Sequence, residues 1–441
     1  MDNLNNSGPT DDSQFLDNSS IGDATQSKRS LTFIFFTVLV DVIGIGLIIP
    51  VIPTLLQKLS GADLSQAAWI GGLLMISFSG MQFLFAPVLG ELSDRFGRRP
   101  VLLFALFGLG IDYFLHAYAP SLAWLFAGRI IAGIGGASFT VATSYIADVS
   151  SPENKAKNFG LIGAAFGIGF ILGPVIGGFC ARWGVQVPFF VAGILTLLNF
   201  AYGLAFIPES LPPARRRKIN YTKMIPFVSL FNLGKYKPVL GMILAFSLVN
   251  LAGQVMPAIW SFFTMKMYNW NETWVGISLG VVGLLVGIVQ AVLIGIIVKS
   301  LGSKKVIILG FFCWTVGMVL FCFALYEWIL LVALFPYVLG GIAGPTMQGM
   351  LSNSVSPSEQ GNLQGTLTQL MSLNTIIGPL MYTALFYQFT SASAPLFFPG
   401  VPFAAASFFV VIAFIIIIFA LKKFNEPVNN TPVSELIEEI H

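Results

Sequence analysis

Long apolar runs separated by short polar segments fill most of the chain. A helix that crosses the ~30 Å hydrocarbon core of a bilayer needs about 20 predominantly apolar residues. Twelve runs meet that length, and the predicted membrane helices cover 31–56, 66–90, 100–118, 121–147, 159–181, 187–207, 239–264, 274–298, 305–325, 328–351, 364–387 and 403–421. The pattern therefore predicts an all-α integral membrane protein.

The polar segments divide these helices into two groups of six. The longest interior polar segment, 208–238, is predicted to link a first bundle at 29–207 to a second bundle at 239–421. The polar segments 1–28 and 422–441 are predicted to be tails, the first of them disordered. Tails this short cannot bury a hydrophobic core, which argues against a membrane receptor or scaffold with soluble domains.

Lysine and arginine are distributed unevenly over the polar segments. Cations in short loops stay on the cytoplasmic side of a membrane. With a cytoplasmic N-terminus, 19 of the 23 cations fall in cytoplasmic segments, three fall in external loops, and Arg129 lies within a predicted helix. Both tails are therefore predicted to be cytoplasmic, in a multi-pass protein of the cell membrane.

Composition agrees with this class. Hydrophobic residues make up 56% of the chain and charged residues 10%, with a formal net charge of +3 and a mean hydropathy of +0.82; soluble domains carry about 25% charge. The near balance of charge gives no sign of a nucleic-acid partner. The three cysteines lie in apolar runs without metal or redox spacing, and the short motifs of common hydrolases and nucleotide-binding enzymes do not occur. We predict no enzyme activity, no metal and no cofactor.

Two basic hairpins repeat at one spacing. The offset is 205 residues between GELSDRFGRRP at 90–100 and GIIVKSLGSKK at 295–305, between Pro152 and Pro357, and between Gly173-Pro174 and Gly378-Pro379. A constant offset indicates an internal repeat. We predict two parallel six-helix halves with a substrate site between them, exposed alternately to each side of the membrane.

Three ionisable residues inside predicted helices are candidates for proton coupling. Each charge placed in hydrocarbon costs at least about 2.5–3.5 kcal/mol, so such residues usually have a function. Asp41 and Asp112 are candidate proton carriers, and Arg129 is expected to hold an acid such as Asp41 ionised, because arginine does not lose its proton. His116, one turn after Asp112, either relays protons or is a packed side chain. Static ion pairs remain the alternative for Asp41 and Arg129.

Three long motifs resemble those of the major facilitator superfamily. Gly90–Pro100 is similar to its loop between helices two and three, Gly128-Arg129 with Gly133 to its fourth-helix motif, and GFILGPVIGG at 169–178 to the fifth-helix motif of its antiporters. Further stretches resemble its drug:proton antiporter branch, which contains the bacterial tetracycline exporters: Asp41–Leu56, Asp112-Tyr113, Ile146–Asp148, Gly253-Gln254 with Pro257 and Trp260, and Leu363–Gly365.

This resemblance implies a proton-driven exporter of a small amphipathic compound that works by alternating access, with the proton gradient as its energy source. We expect it to act as a monomer in the lipid bilayer. The alternative within the same architecture is an uptake symporter for a small nutrient or metabolite, and the antiporter-like fifth helix argues against it.

The resemblance also implies two structural sites. A cytoplasmic latch would comprise Gly90, Asp94, Arg95, Gly97, Arg98, Arg99 and Asp148. In it Asp94 would meet the start of helix eleven near Gly361–Gly365, and Arg98 would bridge Asp94 and Asp148, closing the halves in the outward-facing state. The antiporter motif would seal the interface against proton leak through Gly169, Gly173, Pro174, Gly177 and Gly178. The alternatives are cations that only fix topology and glycines that only permit close packing.

Polar and aromatic residues within helices are the candidates for the substrate cavity: Gln82, His116, Asn250, Gln254, Trp260, Gln290 and Trp314. Resemblance to the tetracycline exporters implies a histidine in helix eight and an aspartate in helix nine, but this chain has Val286 and Trp314 there. Glu272 and Glu327 are predicted to lie in external loops. The sequence therefore leaves the identity of the exported compound open.

Overall fold

Twelve helices long and apolar enough to cross a membrane run through the computed structural model, which describes residues 31–136, 138–150, 154–219, 221–225, 236, 239–356 and 359–423. They are α1 (Leu31–Ile48), α2 (Leu64–Phe96), α3 (Arg98–Ala117), α4 (Leu122–Val149), α5 (Asn158–Trp183), α6 (Val187–Phe206), α7 (Leu240–Tyr268), α8 (Glu272–Leu301), α9 (Ser303–Cys322), α10 (Glu327–Asn353), α11 (Asn362–Thr390) and α12 (Val401–Lys422). The predicted all-helical membrane fold is confirmed. The tails and much of the linker, with Pro152 and Pro357, lie outside the described residues.

The first membrane helix is shorter than predicted. A single helix over 31–56 is wrong, because α1 ends at Ile48 and a separate short helix, Ile52–Ser60, follows after a turn. Proline explains the break. Pro50 has no N–H to continue the helix, whereas Pro53 falls in the first turn of the short helix, where a missing N–H costs nothing.

Corresponding helices pack together in the two halves around α3 and α9. In the first half α3 packs against α4 and α6, and in the second half α9 packs against α10 and α12. Between the halves α2 packs against α11 and α5 against α8. The arrangement is that of two parallel six-helix bundles, as the internal repeat predicted.

The repeated hairpins are tight turns with a glycine in the left-handed region. Gly97, between α2 and α3, has φ +107°, and Gly302, between α8 and α9, has φ +78°. Side chains with a Cβ atom rarely adopt these values. Both hairpins therefore turn at a glycine with a positive φ angle, and the sequence repeat is also a structural repeat.

Side-chain contacts join the halves on the side opposite to the one where α1 begins and α12 ends. We call these the far side and the terminal side. Thr390 Oγ1 of α11 donates to Ser65 Oγ of α2 at 2.8 Å, and Thr54 donates to Glu272. Glu272 and Glu327 begin α8 and α10, so their predicted placement in loops is wrong.

Glycines along α8 show where the two halves separate. A Cβ atom added at Gly276 would clash with the carbonyl of Pro174 in α5, and one at Gly283 would lie 3.2 Å from Ile171. One turn further along the same face of α8, a Cβ at Gly287 would meet nothing within 4 Å, and the same holds in α5 at Gly167. The halves are therefore closed at the far side and open toward the terminal side.

Candidate functional site

A buried cluster of three ionisable side chains joins α3 to α4. Helical spacing places Asp112 and His116 one turn apart on the same face of α3, and both side chains have 0% exposure. Arg129 Nη2 lies 2.6 Å from Asp112 Oδ2, and Arg129 Nε donates to His116 Nε2 at 3.1 Å. Asp112 and His116 therefore hold Arg129 in this state, and the expected pairing of Arg129 with Asp41 stays a prediction.

A glycine and an aromatic ring border this cluster. A Cβ atom at Gly128 would lie 2.5 Å from Asp112 Oδ1 and 2.8 Å from His116 Cε1. The Phe189 ring of α6 stacks on the His116 ring with a centroid distance of 5.5 Å. The Gly-Arg dipeptide of α4 thus supplies both the cation and the space that the acid and the histidine occupy.

Asp41 lies beside the cluster on α1. It is half-buried, and the fully buried Tyr113 hydroxyl is within electrostatic range of Arg129, Asp41 and Asp112. A Cβ atom at Gly44 would clash with that hydroxyl, so Gly44 lets α1 approach α3 at this level. Sequence reasoning gave Tyr113 no role. Its signal was only its place directly after Asp112.

A cavity of about 410 Å³ lies between the halves, next to the cluster. Arg129 lines it, so the cation that binds Asp112 also borders the cavity. Gln82 and Gln254 line it as the sequence predicted, and Gln82 Nε2 donates to the Gly136 carbonyl at 2.8 Å. The other lining residues are mainly apolar: Ile45, Ile48, Ile49, Ile52, Gly71, Leu74, Met75, Phe78, Ser79, Phe170, Pro257, Ala258, Ser261, Phe262 and Thr375.

A second cavity, of about 270 Å³, lies within the second half. Asn250, Gln290 and Trp314 line it, together with Val286. Gln290 lies on a π-helical turn, Val289–Leu293, within α8. Such turns in α-helices are frequent at functional sites. Three of the predicted cavity residues are thus brought together here.

Two predicted cavity residues are elsewhere. Trp260 is fully buried, and its Nε1 donates to Ser278 Oγ of α8 at 2.8 Å. His116 belongs to the buried cluster and lines neither of the two cavities described above. Their predicted contact with the substrate stays a prediction. Both are polar aromatic side chains that satisfy their nitrogen atoms within the protein, as buried side chains of this kind usually do.

The hairpin between α2 and α3 carries an ion-pair network. Arg98 Nη1 lies 2.6 Å from Asp94 Oδ1, and Arg98 Nε lies 3.1 Å from Asp148 Oδ2 at the end of α4. Arg98 thus bridges the two acids within the first half, as predicted. The described contacts of Asp94 are with Arg98 and, through its main-chain oxygen, with Arg217. Its contact with the start of α11 stays a prediction for the opposite state.

The other residues of the predicted latch surround this network. Arg99 Nη2 donates to the Leu204 carbonyl at 2.7 Å, while the Arg95 side chain is exposed and Gly90 is half-buried. Gly97 is buried, and a Cβ atom there would clash with the Glu209 carboxylate. Gly97 therefore meets two requirements, a left-handed backbone and close approach of an acid.

Glu209 is a residue that sequence reasoning missed. Its carboxylate accepts from the main-chain nitrogens of Arg98 at 2.8 Å and Arg99 at 3.3 Å, so it caps the first turn of α3. Glu209 lies in the predicted linker, more than a hundred residues away in sequence. Helix-capping signals in a sequence are local, so the capping of α3 by the distant Glu209 could not be predicted from the sequence.

The start of the linker is attached to the first half by further hydrogen bonds. Tyr145 donates its hydroxyl hydrogen to the Pro208 carbonyl at 2.8 Å, and Ser210 Oγ lies 3.2 Å from Asp148 Oδ2. The Arg217 N–H donates to the Asp94 carbonyl at 3.1 Å. Residues 208–217 are therefore part of the first half in structure, not a free connector.

The glycines of the antiporter motif pack α5 between α1 and α8. A Cβ atom at Gly169 would lie 2.7 Å from Val42, and one at Gly173 would lie 2.8 Å from the Ile43 carbonyl. A Cβ at Gly177 or Gly178 would clash with the main chain of α1 or α8, respectively. Pro174 lies within α5 at the same level. The motif produces the close helix contacts that a seal requires.

Comparison with known proteins gives a consistent result. The family model of the Major Facilitator Superfamily matches residues 34–303 and 253–439. The class C tetracycline resistance protein of Escherichia coli is 41% identical over 362 residues, which are 82% of this chain and 90% of that protein. The class H tetracycline resistance protein of Pasteurella multocida is 36% identical and covers 83% of this chain and 90% of its own length.

A solved structure shares the fold. The crystal structure of the human organic anion transporter MFSD10 superimposes with a TM-score of 0.68 and 22% sequence identity, covering 89% of this chain and 99% of that protein. The twelve-helix architecture with two similar halves is therefore one that a membrane transporter uses.

Proposed function

Because the chain belongs to the major facilitator superfamily, we propose that it is a proton-coupled exporter of a small amphipathic compound in the cell membrane. The observation that carries this proposal is the Asp112–His116–Arg129 cluster, which borders the cavity between the halves through Arg129. The similarity to tetracycline resistance proteins supports export over nutrient uptake or a receptor role. The terminal side is then the cytoplasmic side, with both termini inside.

With this orientation the structure is open to the cytoplasm. Substrate enters the larger cavity from inside, and the far-side contacts must break for it to leave. Uptake of a proton by the cluster from outside frees Arg129 from Asp112, and release of that proton to the cytoplasm restores the ion pair. The charge on Arg129 at the cavity wall is the link between the proton and the substrate.

The hairpin network and the α5 motif act at opposite stages of this cycle. When the cytoplasmic side closes, Asp94 is in position to meet the start of α11, where a helix N-terminus favours an anion. The α5 glycines keep the far side tightly packed while the cavity is open to the cytoplasm. Proton leak through the interface would dissipate the gradient that drives export.

The cavity chemistry narrows the class of substrate. Among the described lining residues of both cavities, none is a carboxylate, and the larger cavity is bordered by a cation. Apolar contacts with Phe78 and Phe262 and hydrogen bonds with Gln82 and Gln254 suit a polycyclic compound with several oxygen atoms. Tetracycline meets this description and is the first compound to test.

The test is proton release from the purified protein when substrate binds. Tetracycline added to weakly buffered, detergent-purified protein should release protons, because substrate binding favours the form in which Asp112 pairs with Arg129. The double variant Asp41→Asn/Asp112→Asn should lose this release. If the release persists in the double variant, the assignment of these two acids to coupling is wrong.

A control variant and a direction test complete the experiment. Asp63→Asn is a matched control for the two aspartate substitutions. Asp63 caps α2 through its side chain, and asparagine caps a helix equally well. The Asp63→Asn protein should therefore release protons like the wild type. The direction of transport can be measured in proteoliposomes. A proton gradient directed into the compartment on the cytoplasmic side of the protein should drive the drug out of that compartment. Movement of drug in the same direction as protons would establish an uptake symporter instead.

A further inference from the structure

The hydrogen bonds of His116 fix which ring nitrogen carries a proton. Its Nε2 accepts from Arg129 Nε at 3.1 Å, so Nε2 has no hydrogen. Its Nδ1 lies 3.0 Å from the Asp112 main-chain oxygen and 2.9 Å from Asp112 Oδ1, and the main-chain oxygen is the better aligned acceptor. Nδ1 therefore carries the hydrogen, and His116 is neutral in this state.

A second proton on His116 has one place to bind. It must take the Nε2 lone pair that the Arg129 N–H now occupies, and it would then place two donors and two positive charges face to face. Arg129 must leave the ring for this to happen. Its side chain has 15% exposure and lines the larger cavity, so a route away from the cluster exists.

The groups around His116 favour such an exchange. On α3 itself Asp112 touches the ring and Tyr113 is the next residue. From α4 comes Arg129 and from α6 the uncharged Phe189 ring, while Asp41 of α1 lies near Tyr113. A protonated His116 can therefore take over as the counter-ion of Asp112, leaving the charge of the buried pair balanced while Arg129 turns toward the cavity.

We propose that His116 is the proton acceptor that exchanges with Arg129 as the counter-ion of Asp112. The proton adds to Nε2, the hydrogen bond from Arg129 Nε breaks, and Asp112 stays ionised throughout. The step moves one positive charge to the cavity wall for each proton taken up. This inference rests on the proposed function and specifies where the proton is carried.

Histidine-selective ¹⁵N labelling tests the proposal without any substrate. The sequence contains only two histidines, His116 and His441. The variant His441→Gln therefore leaves a single labelled ring, and NMR of that protein in liposomes reports its protonation state at each pH. At high pH we expect a neutral ring with hydrogen on Nδ1 and none on Nε2, and at low pH an imidazolium.

Two results would overturn the proposal. One is a neutral ring with its hydrogen on Nε2, since the Arg129 bond would then be absent. The other is a ring that stays neutral over the whole pH range in which transport responds to pH. If instead wild-type protein neither releases protons nor exports drug while the ring titrates as expected, the proposed function fails and the proton site stands.

Transport by the variant His116→Gln provides the second readout. Glutamine keeps an acceptor for Arg129 but cannot take up a proton, so a purely structural role would be preserved. We expect the pH profile of export to lose its dependence over the range in which His116 titrates, and proton release on drug binding to fall in that range. An unchanged pH profile would contradict the proposal, and the spectroscopic test decides if this variant does not fold.

Discussion

Gly128 is the residue that sets how closely α4 can approach the acid and the histidine of α3. We expect Gly128→Ala to disrupt the cluster, because the added methyl group would lie 2.5 Å from Asp112 Oδ1 and 2.8 Å from His116 Cε1. Overpacking of this kind costs about 1–3 kcal/mol. Export should fall sharply and the apparent Tm of the purified protein should drop.

A glycine on α3 provides the matched control. A Cβ atom at Gly108 would meet only Ile131 Cγ2 at 3.9 Å, which is ordinary contact. Gly108→Ala should therefore export and melt like the wild type. Equal behaviour of Gly128→Ala and Gly108→Ala would show that the cluster tolerates movement of α4.

At this scale the sequence identified the residues but not their partners. A charge in an apolar run is visible in a sequence because it is expensive there, and this identified Asp41, Asp112 and Arg129. The choice between Asp41 and Asp112 as the partner of Arg129 depends on the rotation and depth of α1, α3 and α4. No property of the sequence alone fixes those, so the contact between Arg129 and Asp112 became visible only in the structure.

Glu209 caps α3 from outside the helix, and its effect belongs to that element. We expect Glu209→Gln to weaken the hydrogen bonds to the Arg98 and Arg99 main-chain nitrogens. Hydrogen bonds to a charged group are worth about 1.5–3 kcal/mol each when buried, and less here because Glu209 is half-exposed. A lower unfolding temperature with unchanged drug affinity is the expected result, measured by thermal shift and by binding. A loss of drug affinity at full stability would point to a role in the cavity instead.

The contact between α5 and α8 on the far side should be sensitive to single methyl groups. Gly276→Ala would place a Cβ atom against the Pro174 carbonyl, whereas Gly287→Ala adds one in open space on the same helix. We expect Gly276→Ala to prevent full closure of the far side and Gly287→Ala to leave it intact. Distances between spin labels on the far-side ends of α5 and α8 would report the difference, and equal distances in both variants would contradict it.

Element boundaries were predictable to different extents. Apolar length fixed the existence of all twelve helices, since no other backbone structure of that length is stable in hydrocarbon. It did not reveal the break after Ile48, because the run continues through Pro50 without a polar residue. The π-helical turn Val289–Leu293 also has no apolar signature. Such local departures depend on packing against neighbouring helices.

Alternating access predicts that the far side must open in every cycle. Ser65 and Thr390 lie at that side on opposite halves, with their hydroxyl oxygens 2.8 Å apart. In a background without the native cysteines, Ser65→Cys/Thr390→Cys should form a disulfide that holds the halves closed and abolishes export. Reduction should restore it.

Single variants serve as controls for this cross-link. Ser65→Cys and Thr390→Cys alone should export under oxidising conditions, because neither can form the bridge. Gel mobility after proteolysis within the linker would report bond formation. Full export by the oxidised double variant would show that the far side does not need to open.

The hydrogen bonds that attach Pro208–Arg217 to the first half also determine where the polypeptide can be divided. A gene cut after Lys218 would leave the first fragment with its capping carboxylate Glu209 and with the Arg217 contact to Asp94. A gene cut before Pro208 would give those groups to the wrong fragment. Two separately encoded halves should thus assemble into a working transporter only from the later cut.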